Sequence, residues 1–192
     1  MYDSIILASA SPRRQQLLTR IGLGFSVEPS CLDEDINYEL DFGPLTADIA
    51  FQKAMTVAKK HEKGLVIGAD TIGVIDREIL GKPATLQEAK EMLSHLSGRW
   101  HSVFTGLSLV DAATKHYLNE FEESRVKFKN LSSLEIQNYI KTREPMDKAG
   151  AYAIQGKGAL LVEKIEGDYY NIVGLPLFKL NLMLAQFDLK IL

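Results

Sequence analysis

In the stretch SASPRR, residues 9–14, two serines and two arginines crowd one turn directly after the apolar IILA. Ser11 reads as a helix N-cap and Pro12 as the first helical residue, so Arg13 and Arg14 fall in the first turn. Cations there oppose the positive end of the helix macrodipole, at a cost of about 0.3–1 kcal/mol each when exposed. A phosphate would reverse that sign. Free helix N–H groups, the Ser9 and Ser11 hydroxyls and two bidentate guanidiniums are the donors its oxygens need. The plain alternative is a capped helix whose two arginines are solvated or pair nearby acids.

A second candidate is GADT, residues 68–71, which sets Asp70 at what reads as the end of a buried strand. A carboxylate so placed can hold a hard divalent ion or take a proton from an attacking water. It can equally cap a turn or pair a lysine. Lys53 in FQKA and Lys82 in LGKP are point charges suited to a polyphosphate, but the chain has 22 lysines and arginines, many of which are expected to be merely solvated. Glu34 belongs to the acidic run Asp33-Glu34-Asp35, either a metal ligand or part of a solvated loop. In KAGAYAIQGKG, residues 148–158, Gln155 carries a donor and an acceptor that match a nucleobase edge, and the flanking glycines permit close backbone approach. A bulged strand is the plain reading of the same run. Tyr169, Tyr170 and Asn171 offer an aromatic face or simple core packing.

Several familiar chemistries are absent. The chain has no P-loop, no dinucleotide-binding glycine fingerprint, no zincin helix and no serine-hydrolase elbow. His61, His95, His101 and His116 lie too far apart for ligand spacing, and Cys31 is the only cysteine, which excludes an intrachain disulfide and a cysteine zinc cluster. A net charge of -3 argues against a broad nucleic-acid surface, so nucleic acid is not an expected partner. Neither a leader peptide nor the ~20 apolar residues of a membrane span can be read, and a cytoplasmic location is expected.

The elements that must hold these residues follow from periodicity and punctuation. Strands are expected at 4–8 and over LVIGAD, and helices at 12–21, closed by Gly22, and at 46–62, ended by Gly64. A hairpin should turn at Asp76-Arg77. Thr85 with Glu88 forms a capping box before a helix that stops at Gly98. Extended segments at 100–110 and 116–129 flank a turn at DAATK. SLEIQNYIK is a capped helix, one more strand lies within GAYAIQGKGALLVEKIEG, and a last helix begins near Pro176. Strands alternating with helices make this an α/β chain with mixed strands, one domain over residues 1–192.

LASASPRR, GADT, LGKP, LSGRWHSVFTG, EPMDKAGAYAIQGKG and GDYYNIVGLPL, in that order and nearly end to end, resemble the Maf family of nucleotide pyrophosphatases. The resemblance implies an α/β fold similar to the inosine triphosphatase superfamily, with an elongated mixed sheet, flanking helices and two lobes with a cleft. It implies hydrolysis of a nucleoside triphosphate between the α and β phosphates, with Mg²⁺, Mn²⁺ or Co²⁺ as cofactor. Family phosphate-binding residues match Ser9, Ser11, Arg13, Arg14, Lys53 and Lys82. The family's proton acceptor and metal ligand matches Asp70, and Glu34 matches its second acid more loosely. Asp70-Thr71 and Gln155 resemble the branch acting on dTTP and UTP, with Thr71 and Gln155 beside the base. A homodimer is compatible with the sequence. The competing readings are a noncatalytic nucleotide- or nucleic-acid-binding regulator of cell division and a pyrophosphatase for noncanonical purine triphosphates.

Overall fold

The computed structural model describes residues 2–31 and 41–192. Its elements run β1 (Ile5–Leu7), α1 (Pro12–Arg20), β2 (Ser26–Val27), α2 (Phe42–Ala58), β3 (Leu65–Ile75), β4 (Glu78–Leu80), α3 (Leu86–Leu96), β5 (Trp100–Asp111), β6 (Tyr117–Phe128), α4 (Ser133–Lys141), β7 (Val162–Glu166), α5 (Tyr169–Val173) and α6 (Leu177–Gln186). The seven strands form a sheet ordered β2-β1-β3-β5-β6-β7, with β4 paired to β3. Parallel β1–β2 and β1–β3 pairs beside antiparallel β3–β4 and β6–β7 pairs make the sheet mixed, as expected.

Local chemistry explains most of these boundaries. Ser11 is the N-cap of α1 and Pro12 its first residue. Gly22 takes φ +72° beyond the C-terminal end, where its N–H and that of Leu23 bond back to the Thr19 and Leu18 carbonyls. The hairpin turns at Asp76 and Arg77, φ +52° and +66°, the pair of left-handed residues that a two-residue turn of this twist requires. Ser132 and Glu135 make a complete capping box at α4. At α3 only half of the expected box forms. Thr85 Oγ1 accepts from the Glu88 N–H, but the Glu88 carboxylate accepts from the Ala84 N–H instead of reaching Thr85.

Three expectations are corrected. Helix α2 begins at Phe42, not 46, and ends at Ala58; Thr46 lies inside it, fully buried, with its hydroxyl donated to the Gly43 carbonyl. Strand β3 does not stop at Asp70 but continues five residues to Ile75, so Asp70 and Thr71 sit in mid-strand. The run 148–158 is not a bulged strand: the stretch before β7 forms short 3₁₀ turns at Glu144–Asp147, Ala149–Ala151 and Lys157–Leu161, and the expected strand is β7 itself. Helix α5 was not anticipated, although Asp168, which accepts from the Tyr170 N–H, is a cap signal.

The chain divides into two compact units, Met1–Thr71 with Thr105–Glu122 and Gly174–Leu192, and Ile72–Phe104 with Glu123–Val173. In the first, Ile6, Val66 and Val110 of the sheet, with Ala8 just past β1, pack on Ala54, Val57 and Ala58 of α2. Two glycines bring that helix close. A methyl on Gly68 would collide with the Ala50 carbonyl oxygen, and one on Gly106 with the Thr46 backbone. In the second unit α3 packs on α4, burying Leu93, Leu96, Ile136 and Ile140. No helix among the described residues is long and apolar enough to cross a membrane.

Candidate active site

Successive side chains of a strand point to opposite faces of the sheet, so Asp70 shares the face of Gly68 while Thr71 takes the other. On the α2 face Lys53 Nζ lies 2.6 Å from Asp70 Oδ1. The two side chains are only 15% and 16% exposed, so neither charge would be tolerated there without a partner. Gly68 makes the pair possible, because the missing methyl lets α2 approach closely enough for Lys53 to reach. An ionised carboxylate accepts only, and one ammonium leaves it further lone pairs for a water or a cation.

The opposite face holds a guanidinium. Arg14 donates from Nε to the Gly174 carbonyl at 2.9 Å, from Nη1 to Ser9 Oγ at 3.0 Å and from Nη2 to Thr71 Oγ1 at 3.1 Å. Thr71 also shares a 2.9 Å hydroxyl bond with Thr105, which is wholly buried. Ser9 Oγ in addition accepts the Ser11 N–H, so this hydroxyl, not that of Ser11, serves the turn entering α1. Arg14 therefore ties the start of α1 to β3 and to the segment entering α6. Arg13, one residue before it and half-buried, has no hydrogen bond or ion pair among the described residues.

The structure thus gathers Ser9, Arg14 and Thr71 into one cluster and Lys53 and Asp70 into another, both in the first unit. Lys82, exposed between β4 and α3, and Gln155, exposed on the turn at 154–156, belong to the second unit. Glu34 lies outside the described residues. In the second unit His101 Nε2 lies 2.9 Å from the Tyr152 hydroxyl, with both rings edge-on to Phe128. Burial of this imidazole pushes its pKa down to about 4, so it is neutral at pH 7.

The family described as Maf-like protein matches residues 4–187. The chain belongs to the Maf family. It is similar to the dTTP/UTP pyrophosphatase of Alkaliphilus oremlandii, with 51% identity over 190 residues covering 98% of each chain. It is also similar to the dTTP/UTP pyrophosphatase of Clostridioides difficile, with 48% identity over 184 residues covering 96% of this chain and 95% of that one. The Staphylococcus aureus Ham1 protein overlays 66% of this chain and 72% of its own at a TM-score of 0.45 and 16% identity.

For a Maf chain the donor set around Asp70 bears on metal binding. No group of three His, Cys, Asp or Glu residues converges among the described residues. Mg²⁺ needs no such cage, because one or two carboxylates together with phosphate oxygens and water complete its shell. Asp70 fits that demand. Sequence reasoning missed Thr105 and Gly174, the further partners of this Maf cluster. Thr105 carried a faint signal, a hydroxyl amid the apolar positions of β5 that must find a bond once buried. Gly174 carried none, since it contributes only a carbonyl oxygen.

Proposed function

We propose that this chain is a nucleoside triphosphate pyrophosphatase acting on dTTP and UTP, releasing the nucleoside monophosphate and pyrophosphate. The observation that carries the reading is the desolvated Lys53–Asp70 pair, supported by the names of relatives at about half identity along the full length. In this reading Asp70 accepts a proton from water. The water oxygen forms a bond to the α-phosphorus, the bridging bond to the β-phosphate breaks, and pyrophosphate leaves with the electron pair. Lys53 orients Asp70, and its charge offsets that gathering on the phosphoryl oxygens.

Asp70, with Glu34 as the family resemblance implies, would hold a divalent ion, Mg²⁺, Mn²⁺ or Co²⁺, which would supply charge neutralisation at the phosphoryl oxygens. Arg13 is the arginine we assign to the triphosphate, because Arg14 is already committed to Ser9, Thr71 and Gly174. Lys82 is assigned to phosphate and Gln155 to the base edge. Ser9 and Ser11 contribute through the turn that presents Arg13 and Arg14, and Thr71 through the bond it accepts from Arg14.

The test is UTP hydrolysis by Asp70→Asn and Lys53→Met. Asp70→Asn should lower kcat by about 10²-fold or more, the scale of a lost general base, with the fold retained by circular dichroism. Lys53→Met should also lose activity, by leaving Asp70 without its partner. Full activity in Asp70→Asn would overturn the assignment.

A further inference from the structure

Gln155 sits on a turn that is held from below at three points, all within the second unit. Glu144 Oε2 accepts the Lys157 N–H at 3.0 Å and Oε1 the Gly158 N–H at 3.0 Å. The Tyr139 hydroxyl donates to Glu144 Oε1 at 2.9 Å and accepts the Ala153 N–H at 3.2 Å. Tyr152, at the foot of the turn, is buried against His101 and Phe128.

The neighbouring residues are shaped to this clamp. A methyl on Gly156 would run into the Glu144 carboxylate, and one on Gly158 would lie 2.6 Å from the Ala153 carbonyl oxygen and 2.7 Å from the Tyr139 hydroxyl. Burial raises the Glu144 pKa, but the Gly158 and Lys157 N–H groups and the Tyr139 hydroxyl outweigh it and hold the carboxyl below its ordinary range. The carboxylate thus satisfies two N–H groups of an irregular segment that would otherwise bond to water. Between the clamped N–H groups of Ala153 and Gly158 the long polar side chains are those of Gln155 and Lys157, both exposed, and Gln155 is the one that carries both a donor and an acceptor.

We infer that Glu144, with Tyr139, is a positioning residue for nucleobase selection, acting by fixing the backbone that presents the Gln155 amide. The inference rests on the assignment of Gln155 to the base edge. A carboxamide discriminates between bases only if its donor and acceptor are held in one orientation, since a mobile one adapts to either pattern.

A double-mutant cycle on the full chain tests it, with Glu144→Gln, Gln155→Ala and the double variant assayed on UTP and on 7-methyl-GTP. Glu144→Gln is nearly isosteric, but its amide nitrogen meets an N–H where a carboxylate oxygen accepted one. It should raise KM for UTP roughly tenfold with kcat little changed, the size of one lost hydrogen-bonded contact. In the Gln155→Ala background the same change should have almost no effect on the UTP to 7-methyl-GTP ratio. Amide exchange at Lys157 and Gly158 should quicken. Tyr139→Phe should give a weaker version of all three results and serves if Glu144→Gln fails to fold. Additive effects of the two substitutions, or unaltered exchange, would overturn the inference and leave the Gln155 assignment standing. A Gln155→Ala variant with unaltered base preference would overturn the assignment itself, and the inference with it.

Discussion

Two arginines adjacent in sequence have different physical circumstances, and this governs what each substitution should do. Arg14 bonds to three oxygens contributed by three separate segments, one of them the Thr71 hydroxyl that in turn engages buried Thr105. Removing its side chain strands those acceptors, at about 1–3 kcal/mol, which for a chain this size lowers Tm by roughly 3–10 °C. Arg13 has no such partners and stands at the positive end of α1. Arg13→Ala should therefore leave Tm unchanged or raise it slightly, by relief of a dipole contact worth about 0.3–1 kcal/mol, while kcat/KM for UTP falls at least about tenfold. Paired melting curves and steady-state kinetics check both. A Tm loss in Arg13→Ala matching that of Arg14→Ala would remove the distinction between them. The sequence could not separate the two, because their difference lies in where two distant segments, those carrying Thr71 and Gly174, return.

At the scale of elements, α1, the Asp76-Arg77 hairpin and α4 were legible because caps, a proline and turn residues act within a few positions. The start of α2 and the length of β3 were not. Thr46 resembles a cap but is interior to the helix, and Asp70-Thr71 resembles a strand end. Each of these polar residues is tolerated inside its element because a partner satisfies it: for Thr46 the Gly43 carbonyl one turn back in the same helix, and across the fold Lys53 for Asp70 and Arg14 with Thr105 for Thr71. Of the residues in the two clusters, Ser9, Arg14, Thr71, Lys53 and Asp70 were all named from sequence, yet their division between two faces of β3 followed only from the strand's extension.

The glycines that seat α2 give a direct test of that geometry. Gly68→Ala puts a methyl against the Ala50 carbonyl oxygen and should destabilise by about 1–3 kcal/mol, with activity falling as Lys53 moves from Asp70. Gly24→Ala, where a methyl meets nothing within 4 Å, is the control and should melt like the parent. Equal melting of all three proteins would show that the close seating of α2 is not required.

For the molecule as a whole, His101 sets a pH dependence of stability. In the unfolded chain it titrates near 6.5, and in the fold burial holds it to about 4. Above 6.5 the ring is neutral in both states and contributes no slope. As pH falls from about 6.5 to about 4 the unfolded chain takes up a proton that the fold excludes, so stability declines, by about 3 kcal/mol at most, and levels off below. Denaturant midpoints across pH 4–7 should show this decline, and His101→Gln should flatten it. A slope unaltered by that substitution would place the dependence elsewhere.

The central claim is that Asp70 directs water to the α-phosphorus of a bound nucleoside triphosphate, and isotope transfer tests it most directly. UTP hydrolysed by the metal-loaded protein in ¹⁸O-labelled water should give UMP carrying one ¹⁸O atom in its phosphate, beside unlabelled pyrophosphate. Label recovered in pyrophosphate or in orthophosphate would put the attack on a different phosphorus and contradict the account.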